Sequence, residues 1–451
     1  MATAGDDSGP SGARSGSAPA IPFPLALRLW FWIGLVSFGG PSGQIALLHG
    51  ELVEKRAWLS ERRFLGALDF CMLLPGPEAQ QLATYCGWLL HGARGAVVAG
   101  ALFVLPSAVL LFGLAWFYAA FGALDGVTAF FRAFEPAVVA IVAVSMVRLG
   151  RRALRGAASV AIALGALIGL RVGVPFPAIM GSAALIGIVG ARYWPAHFSG
   201  ALHGDAAPND VDRFALSSAA LRPTSMARAL RMAVLMLILW WAPVAAVALV
   251  AGPAVFLDQG LFFSKSALVT FGGAYAVLPY IAEASVQTFG WATPEDVMVG
   301  LALAETTPGP LIMVTQWLGF LGAWNHPGEL PPILAAAIGS ALVTWVTFLP
   351  CFLFILVGAP YVEALRKVPA LAGALRAVTA AALGAITHLA LWFGTRALFT
   401  NGFAPKPLPI AAAAFFLYVL IARQWSMARI VGAACVLGVV LAFAETVTSA
   451  A

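Results

Sequence analysis

Two triplets of helix-breaking residues stand inside apolar runs of the sequence, and each triplet occurs twice. The glycine triplet Phe38-Gly39-Gly40, in "LVSFGGPSGQ", recurs as Phe271-Gly272-Gly273, and the proline triplet Pro75-Gly76-Pro77 recurs as Pro308-Gly309-Pro310. Glycine and proline leave backbone N–H and C=O groups without helical partners. Because the N–H groups and the dipole at the start of a helix attract negative charge, such breaks are suited to bind an anion.

Two carboxylates accompany the proline triplets. Glu78 follows the first triplet directly, and Glu305 precedes the second by three residues. A solitary buried carboxylate can take up a proton and so respond to an ion gradient, and it can equally pair with Arg28 or cap the backbone. The other polar groups of the candidate site are Gln44, Gln81, Thr306 and Thr307, and one of the threonines is expected to cap the following helix.

Two basic residues precede the glycine triplets within the same apolar runs. Arg28 lies ten residues before Phe38, and Lys265 lies six residues before Phe271. Either could supply a positive charge to an anionic ligand. The alternative for both is that the long side chain extends to the lipid headgroups. His388, in a later apolar run, is interpreted as a core residue in preference to a proton relay.

The elements that must position these residues are apolar. The chain has 451 residues, of which 61% are apolar and only 10% are charged. A soluble domain carries about 25% charged residues, so this composition excludes an ordinary soluble protein. The net charge of +6 is attributed to arginine-rich loops and not to nucleic-acid binding. The composition predicts an all-α polytopic membrane protein.

Thirteen apolar runs are candidates for the helical segments of such a protein. They lie at about 25–48, 64–90, 95–119, 128–148, 156–171, 174–192, 229–252, 256–283, 296–323, 331–357, 371–394, 407–422 and 427–445. The longest hydrophilic stretch is 193–226. The chain is therefore predicted to have four parts: a disordered tail over 1–20, a first transporter repeat over 21–192, a cytoplasmic linker with a connecting transmembrane helix over 193–252, and a second repeat over 253–451.

The two halves are related by an internal duplication. Both kinds of triplet align with their copies when the residue number is shifted by 233, and Trp58 aligns with Trp291 at the same offset. Over 37–90 against 270–323, nine of 54 positions are identical, and six of the nine lie in the triplets. Since six segments and one connecting helix make an odd number, the second half is expected to be inverted in the membrane, as in many secondary transporters.

The distribution of basic residues predicts a cytoplasmic N-terminus. With that orientation, 17 Lys and Arg residues lie inside and nine lie outside, in agreement with the positive-inside rule. Lys55, Arg56, Arg62 and Arg63 are an exception, because they fall outside between the first two segments. Either this loop is tolerated, or one of its flanking segments enters the membrane and returns without crossing.

The triplets are interpreted as broken or re-entrant helices that meet near the middle of the membrane and bind an anion between them. The alternative is that glycine and proline only allow close helix packing or kinks. Four breaks in matched pairs favour the first interpretation. The sequence has no metal-ligand spacing of Cys, His, Asp or Glu and no GxxxxGK[ST] loop, so no metal and no cofactor are predicted.

The motifs together resemble a known family. Residues 31–88, which contain the first copy of each triplet, and "FVLPSAVLL" at 103–111 resemble the first-half signature of the chromate ion transporter family. Residues 271–324 resemble the matching second half. A single triplet would carry little weight, but the combination is specific. The resemblance covers about 25–445 and therefore indicates a full-length, two-domain member.

Membership would imply a gradient-driven exporter of chromate in the bacterial inner membrane that confers chromate resistance and is not an enzyme. Sulfate, an isosteric dianion, is the expected competitor or counter-substrate, and a homodimer is left open. The alternatives are a transporter of another inorganic or organic anion and, from a different class, an intramembrane phosphatase. A phosphatase needs a nucleophile or a metal cluster, and only Ser37 and Ser42 lie near the first glycine triplet.

The resemblance carries over Arg28 and the four triplets as substrate contacts, with the polar groups named above beside them. The halves differ, because Glu78 corresponds to Leu311 at the offset of 233. The second half therefore lacks the acid after its proline triplet, and Glu305 is expected to compensate from the other side. In the expected mechanism, arginine-rich inner loops attract the anion and one repeat then moves against the other.

Overall fold

The structure is a computed structural model, and it describes residues 20–122, 124–154, 156–198, 225–250, 254–362, 368–400 and 403–450. Regular structure within these ranges is helical, apart from one isolated bridge between Phe399 and Pro405. The predicted all-helical character is therefore confirmed. Residues 1–19 of the predicted tail and 199–224 of the predicted linker lie outside the described residues.

The described part of the first half contains nine helices. They are α1 (Phe23–Val36), α2 (Gly40–His49), α3 (Glu61–Leu73), α4 (Glu78–Phe121), α5 (Asp125–Arg132), α6 (Phe134–Ala153), α7 (Ala157–Arg171), α8 (Phe176–Tyr193) and the short α9 (Pro195–Phe198). A π-helix, Gly50–Lys55, continues α2. The backbone of α4 leaves helical geometry at His91 and Gly92, so its two parts are called α4a (78–90) and α4b (93–121).

Helix α10 (Met226–Val250) connects the halves. The second half contains α11 (Ala254–Leu268), α12 (Ala274–Glu283), α13 (Pro294–Thr306), α14 (Val314–Asn325), α15 (Pro332–Gly358), α16 (Pro369–Leu398), α17 (Pro407–Ile421) and α18 (Met427–Ala450). A π-helix, Ala284–Thr288, continues α12, and a 3₁₀ turn, Leu311–Met313, leads into α14. The two π-helices occupy corresponding places, since their last residues, Lys55 and Thr288, are related by the offset of 233.

Several helices are suited to a bilayer. The segments long and apolar enough to cross it are Glu78–Phe121, Gly126–Ala153, Phe176–Tyr193, Met226–Val250, Pro332–Tyr361 and Ala370–Leu398. Large apolar side chains cover their outer faces, and Val109 and Leu249 are 66% and 86% exposed. Exposure of this kind is unfavourable in water and favourable in lipid. The fold is that of a helical, multi-pass membrane protein, as predicted.

Helices end at all four triplets. α1 and α2 flank the first glycine triplet, α11 and α12 the second, and each proline triplet separates two helices in the same way. The glycines of the triplets have positive φ angles, from +67° at Gly40 to +129° at Gly76, which other residues rarely adopt. The apolar runs that contain a triplet are therefore two helices each, where sequence analysis treated them as single segments: 25–48, 64–90, 256–283 and 296–323.

The chain reverses direction at the proline triplets. Phe70 on α3 and Tyr85 on α4a have ring centroids 5.4 Å apart, although 15 residues of straight helix would separate them by about 22 Å. In the second half, a Cβ at Gly300 on α13 would lie only 2.3 Å from the ring of Trp317 on α14. Each proline triplet is therefore the tip of a helical hairpin.

The chain also reverses at the glycine triplets. Phe262 on α11 and Tyr280 on α12 have ring centroids 5.1 Å apart and lie nine residues on either side of Phe271. In the first half, Nε2 of His91 bonds the carbonyl of Ile21 at 2.8 Å, so α1 begins beside the turn between α4a and α4b. Because α4a runs back along α3 to that turn, α3 begins on the same side as α1. The chain from α1 to α3 therefore enters the fold and returns.

Glycines allow the closest contacts between helices. A Cβ at Gly95 on α4b would lie 2.0 Å from the carbonyl oxygen of Gly87 on α4a. A Cβ at Gly187 on α8 would lie 2.2 Å from the carbonyl oxygen of Gly373 on α16. Small residues at helix interfaces are typical of membrane proteins. Since α8 belongs to the first half and α16 to the second, this packing joins the two halves.

A buried carboxylate fixes the π-helix Gly50–Lys55. The Glu51 side chain is 3% exposed and pairs with Lys55 at 2.6 Å and with Arg56. Burial opposes ionisation of Glu51, but the hydrogen bonds and charges of Lys55 and Arg56 outweigh it. The pKa of the Glu51 carboxyl therefore lies below its usual range.

We expect Glu51→Gln to lower the stability of the protein at pH 7, and to lower it less as the pH falls toward 3. Because the pKa of Glu51 is lower in the folded than in the unfolded state, its contribution is present above about pH 4.3 and is lost as the pH falls through the folded-state value. Charge-assisted hydrogen bonds of this kind contribute about 1.5–3 kcal/mol. Thermal unfolding of both proteins between pH 3 and pH 7 measures the difference, with the more exposed Glu54→Gln as the control. A difference independent of pH would contradict the assignment.

Candidate functional site

The four triplets lie together at the contact between the two halves, and this meeting point is called the crossing. The N–H of Gly309 donates to the carbonyl oxygen of Ser37 at 3.0 Å, and the N–H of Gly76 donates to the carbonyl oxygen of Thr270 at 2.7 Å. The two donors are related by the offset of 233, and so are the two acceptors. The same contact is therefore made twice. In each case it joins the proline triplet of one half to the residue before the glycine triplet of the other half.

A carboxylate faces the second glycine of each glycine triplet. A Cβ at Gly40 would lie 3.9 Å from Oε2 of Glu305, and a Cβ at Gly273 would lie 3.6 Å from Oε1 of Glu78. The two carboxylates do not correspond in sequence, because the counterpart of Glu78 is Leu311. They nevertheless occupy corresponding places in the crossing, and each comes from the half opposite to the glycine it faces.

The tips of the proline hairpins also contact a long helix of the opposite half. A Cβ at Gly309 would lie 2.6 Å from Cβ of Ser107 on α4b, and a Cβ at Gly76 would lie 2.8 Å from Sγ of Cys351 on α15. Ser107 follows Pro106, and Cys351 follows Pro350. The absence of a side chain at the central position of each proline triplet is what allows the halves to approach so closely.

Two side-chain amides hold the broken backbone in place. Nε2 of Gln44 donates to the carbonyl oxygens of Ser37 at 3.0 Å and Gly309 at 2.5 Å, and so joins both halves. Nε2 of Gln81 donates to the carbonyl oxygen of Pro75 at 2.7 Å. These bonds satisfy carbonyl groups that the helix breaks leave free, in a buried place where an unpaired group is costly.

Three buried polar atoms at the triplets have no hydrogen-bond partner among the described residues. They are Oε1 of Gln81, Oγ of Ser107 and Oε2 of Glu305. The other carboxylate oxygen of Glu305 accepts a hydrogen bond from the hydroxyl of Tyr275. Buried polar atoms are nearly always paired in folded proteins. Eleven buried side-chain atoms of the described residues lack a partner, and three of them surround this set of glycines, where a polar ligand would satisfy them.

Two arginines on α6 supply positive charge to this place. Arg152 is close enough to Glu78, and Arg148 to Glu305, for their charges to attract. Both arginine side chains are exposed, and neither forms an ion pair with another described residue. Because they lie four residues apart, they share one face of the helix.

These two arginines were not predicted as site residues from the sequence. The basic residues around 148–155 lie at and after the end of the apolar run 128–148, so they counted only toward the predicted orientation of the chain. The available signal was their position: Arg148 and Arg152 lie within the helix Phe134–Ala153, at a spacing of four residues. An ionisable residue inside a membrane helix is itself an indication of a functional site.

The arrangement is suited to bind an anion without a metal ion. It combines helix starts at Gly40 and Glu78, whose first N–H groups lack helical acceptors, with two guanidinium groups. Among the described residues, no group of three or more His, Cys, Asp or Glu side chains is placed to bind a metal. The chemistry that the N–H groups and the guanidinium groups support is electrostatic recognition of a negatively charged, hydrogen-bond-accepting ligand.

Comparison with known proteins agrees with this description. The sequence profile of a family described as "Chromate transporter" matches residues 25–188 and 257–439, which together make up more than three quarters of the chain. The chain belongs to the chromate transporter family. Each matched segment contains one glycine triplet and one proline triplet. The resemblance noted from the motifs is therefore confirmed.

Individual relatives cover most of the chain. A "Chromate transport protein" of Pseudomonas aeruginosa is 30% identical over 84% of this chain and 83% of its own length. A protein of the same description from Cupriavidus metallidurans is 26% identical over 94% of both chains. A "Probable chromate transport protein" of Synechococcus elongatus is 27% identical over 84% of this chain and 86% of its own. No solved structure gives a significant match.

Most of the expected site residues of this chromate transporter family member lie together. The four triplets, Gln44, Gln81 and the two carboxylates form the crossing described above. Arg28 lies apart from it, on an exposed face of α1 and eight residues before the helix ends, which is about 12 Å along the axis. Lys265 is also exposed, and His388 is partly buried.

The two threonines before the second proline triplet do not cap the next helix. The hydroxyl of Thr306 donates to the carbonyl oxygen of Leu303 at 2.9 Å, and that of Thr307 to Ala304 at 3.4 Å. These acceptors belong to the last turn of α13, the helix that ends there. The following 3₁₀ turn begins after Pro310 without a side-chain cap. The prediction of a threonine cap was wrong, because the hydroxyls satisfy the preceding helix end.

Proposed function

We propose that this protein exports chromate from the bacterial cytoplasm through the inner membrane, as a secondary active transporter, and so confers chromate resistance. The observation that carries the proposal is that four helix breaks lie together beside Arg148 and Arg152. The profile of the family matches both halves of the chain that contribute these breaks. The printed names of the relatives support chromate as the substrate. Sulfate, with the same shape and charge, is the expected competitor.

The dianion would be bound by backbone and arginine together. N–H groups at the starts of α2 and α4a, with their counterparts in the second half, would donate to its oxygens. Arg148 and Arg152 would balance its two charges, because a guanidinium donates in a fork that matches an oxyanion. We assign the charge of the site to these residues and not to Arg28, which lies on the exposed face of α1.

We further propose that the hairpins are re-entrant and that the halves are inverted repeats. The reciprocal bonds between Gly76 and Thr270 and between Gly309 and Ser37 support a two-fold relation. If the chain from α1 to α3 enters the membrane and returns, the basic loop 55–63 lies on the same side as the N-terminus. The inner count of Lys and Arg then rises from 17 to 21, so the exception to the positive-inside rule disappears.

The membrane potential is a sufficient source of energy for this direction of transport. Each charge moved across 100 mV changes the free energy by about 2.3 kcal/mol. At 100 mV, the export of a dianion from a negative interior is therefore favoured by about 4.6 kcal/mol of free energy. Glu78 and Glu305 would modulate binding, because an ionised carboxylate competes with the dianion for the arginines. A protonated carboxylate would leave the arginine free. Even if one proton accompanies the dianion, a net negative charge still moves outward.

We expect everted vesicles that contain the protein to take up chromate when the lumen is made positive with a potassium diffusion gradient and valinomycin. Excess sulfate should inhibit uptake, and vesicles without the protein give the background. Glu78→Gln should retain uptake but show a weaker dependence on pH, which an unchanged pH profile would contradict. Absence of chromate uptake under any imposed potential, with uptake of another anion, would overturn the substrate assignment.

A further inference from the structure

The first glycine hairpin has an open cleft between α1 and the π-helix Gly50–Lys55. We define this hairpin as α1, residues 37–39, α2 and the π-helix Gly50–Lys55. The cleft has a volume of about 560 Å³ and is lined by Trp32 from α1 and by Glu51, Lys55 and Arg56. Pockets that bind small molecules have volumes of about 300–1,000 Å³, so the cleft is large enough for part of an organic ligand.

The corresponding region of the second half is filled by aromatic rings. Phe289 stacks on Trp291 with centroids 4.2 Å apart, and Phe262 packs against Phe289 at 5.2 Å. At the offset of 233, the residue that corresponds to Phe289 is Arg56. The two halves therefore share the hairpin but differ in its filling. In the second half Phe289 covers Trp291, whereas in the first half Arg56 lies 6.0 Å from the ring of Trp58 and the cleft beside it stays open.

The charges at the mouth of this cleft point to an anionic occupant. Two cations, Lys55 and Arg56, surround the single carboxylate of Glu51, so the group carries one net positive charge. The carboxylate is 3% exposed, whereas the Lys55 and Arg56 side chains are 66% and 37% exposed. The acid is therefore hidden and the two cations face outward, where they can contact a second negative group.

The walls of the cleft continue into a lipid-facing surface. Trp32 is 42% exposed, and its neighbours Phe31 and Leu35 are 50% and 44% exposed. A ligand bound at Lys55 and Arg56 would therefore lie beside an apolar surface. A hydrocarbon chain could pack on that surface as lipid packs on the rest of α1. A tryptophan next to a basic residue is typical of the headgroup region of a membrane protein.

We propose that this cleft binds one anionic phospholipid, with the phosphate on Lys55 and Arg56 and an acyl chain along Trp32 and the exposed face of α1. Lysine and arginine are the usual partners of lipid phosphates, and basic residues near a membrane surface favour anionic over zwitterionic lipids. The lipid completes the first hairpin as the aromatic rings complete the second. Because the hairpin tip is the glycine triplet of the candidate site, the bound lipid also stabilises the position of that triplet.

The test uses the purified full-length protein, exchanged into detergent with phosphatidylglycerol or phosphatidylcholine, and native mass spectrometry of the retained lipid. We expect one phosphatidylglycerol to be retained and no phosphatidylcholine. Lys55→Gln should weaken retention by about fivefold, as expected for one basic residue. Arg56→Phe, which copies the second half, should abolish it. Lys265→Gln removes one exposed charge from the corresponding helix of the other half and should have no effect.

Three outcomes would overturn the proposal. Equal retention of both lipids would mean that the charges do not select the ligand. Displacement of bound phosphatidylglycerol by millimolar inorganic phosphate would mean that the cleft recognises a free anion and not a lipid. If the wild-type protein is a dimer without bound lipid and Arg56→Phe is a monomer, a second copy of the chain covers the cleft. None of these results depends on chromate transport, so the proposed function is tested separately.

Discussion

Replacing Arg152 by glutamine is expected to lower chromate uptake at subsaturating concentration by about 10- to 100-fold. A charge-assisted hydrogen bond contributes about 1.5–3 kcal/mol, and each 1.4 kcal/mol corresponds to a factor of ten in affinity. The change should raise the KM for chromate, since the arginine is assigned to binding. Uptake by everted vesicles as a function of chromate concentration measures it.

The adjacent residue provides a matched control for this prediction. Arg151 is also exposed and also in the last turn of α6, but it lies about 100° around the helix from Arg152. Arg151→Gln and Arg28→Ala should each leave uptake within about twofold of the wild type. If Arg151→Gln impairs uptake as much as Arg152→Gln, the arginines act as general positive charge of a loop and not as a site.

A lysine at position 152 separates charge from geometry. Lysine keeps the positive charge but cannot donate two parallel hydrogen bonds to an oxyanion. Arg152→Lys should therefore recover part of the uptake that Arg152→Gln loses. Full recovery would mean that only the charge near Glu78 matters, and the proposed fork between the guanidinium and the dianion would be wrong.

Local patterns identified the triplets, but they could not fix the path of the chain. The run 25–48 is as long and apolar as a helix that crosses a bilayer, so hydropathy alone cannot distinguish one straight helix from two helices between which the chain reverses. The contact between Phe262 and Tyr280 and the bond between His91 and Ile21 carry that information, and both are long-range. The offset of 233 did predict which positions correspond, and the reciprocal bonds at the crossing join such positions.

The two halves contribute unequally to the charge of the site. At an offset of 244, which also relates Pro106 to Pro350, Arg152 corresponds to Arg396 and Arg148 to Trp392. Arg396 stacks on the ring of Trp392, with its guanidinium carbon 4.5 Å from the centroid. The second half therefore pairs its arginine with an aromatic ring of the same helix, whereas the two arginines of the first half interact electrostatically with the carboxylates. Sequence symmetry predicted the backbone of the site but not this difference.

Replacing Gly309 by alanine is expected to abolish transport and to lower the free energy of unfolding of the protein. Its φ angle is +118°, and a Cβ would lie 2.6 Å from Cβ of Ser107. The strained backbone and the overpacked contact should each cost about 1–3 kcal/mol, and the two costs add. Because the Cβ of Ser107 is fixed to α4b, the two halves would have to separate. Thermal unfolding in detergent and chromate uptake measure the two effects.

The corresponding change in the first half should be milder. A Cβ at Gly76 would meet Nε2 of Gln81 at 2.6 Å and Sγ of Cys351 at 2.8 Å, and both atoms are ends of side chains that can rotate away. Gly113→Ala is the control, because no atom lies within 4 Å of its Cβ. Gly113→Ala should retain transport, and its free energy of unfolding should rise by up to about 1 kcal/mol. Ser107→Gly should restore part of the function of Gly309→Ala, and failure of that rescue would mean that the positive φ angle, and not the contact between the halves, requires glycine at position 309.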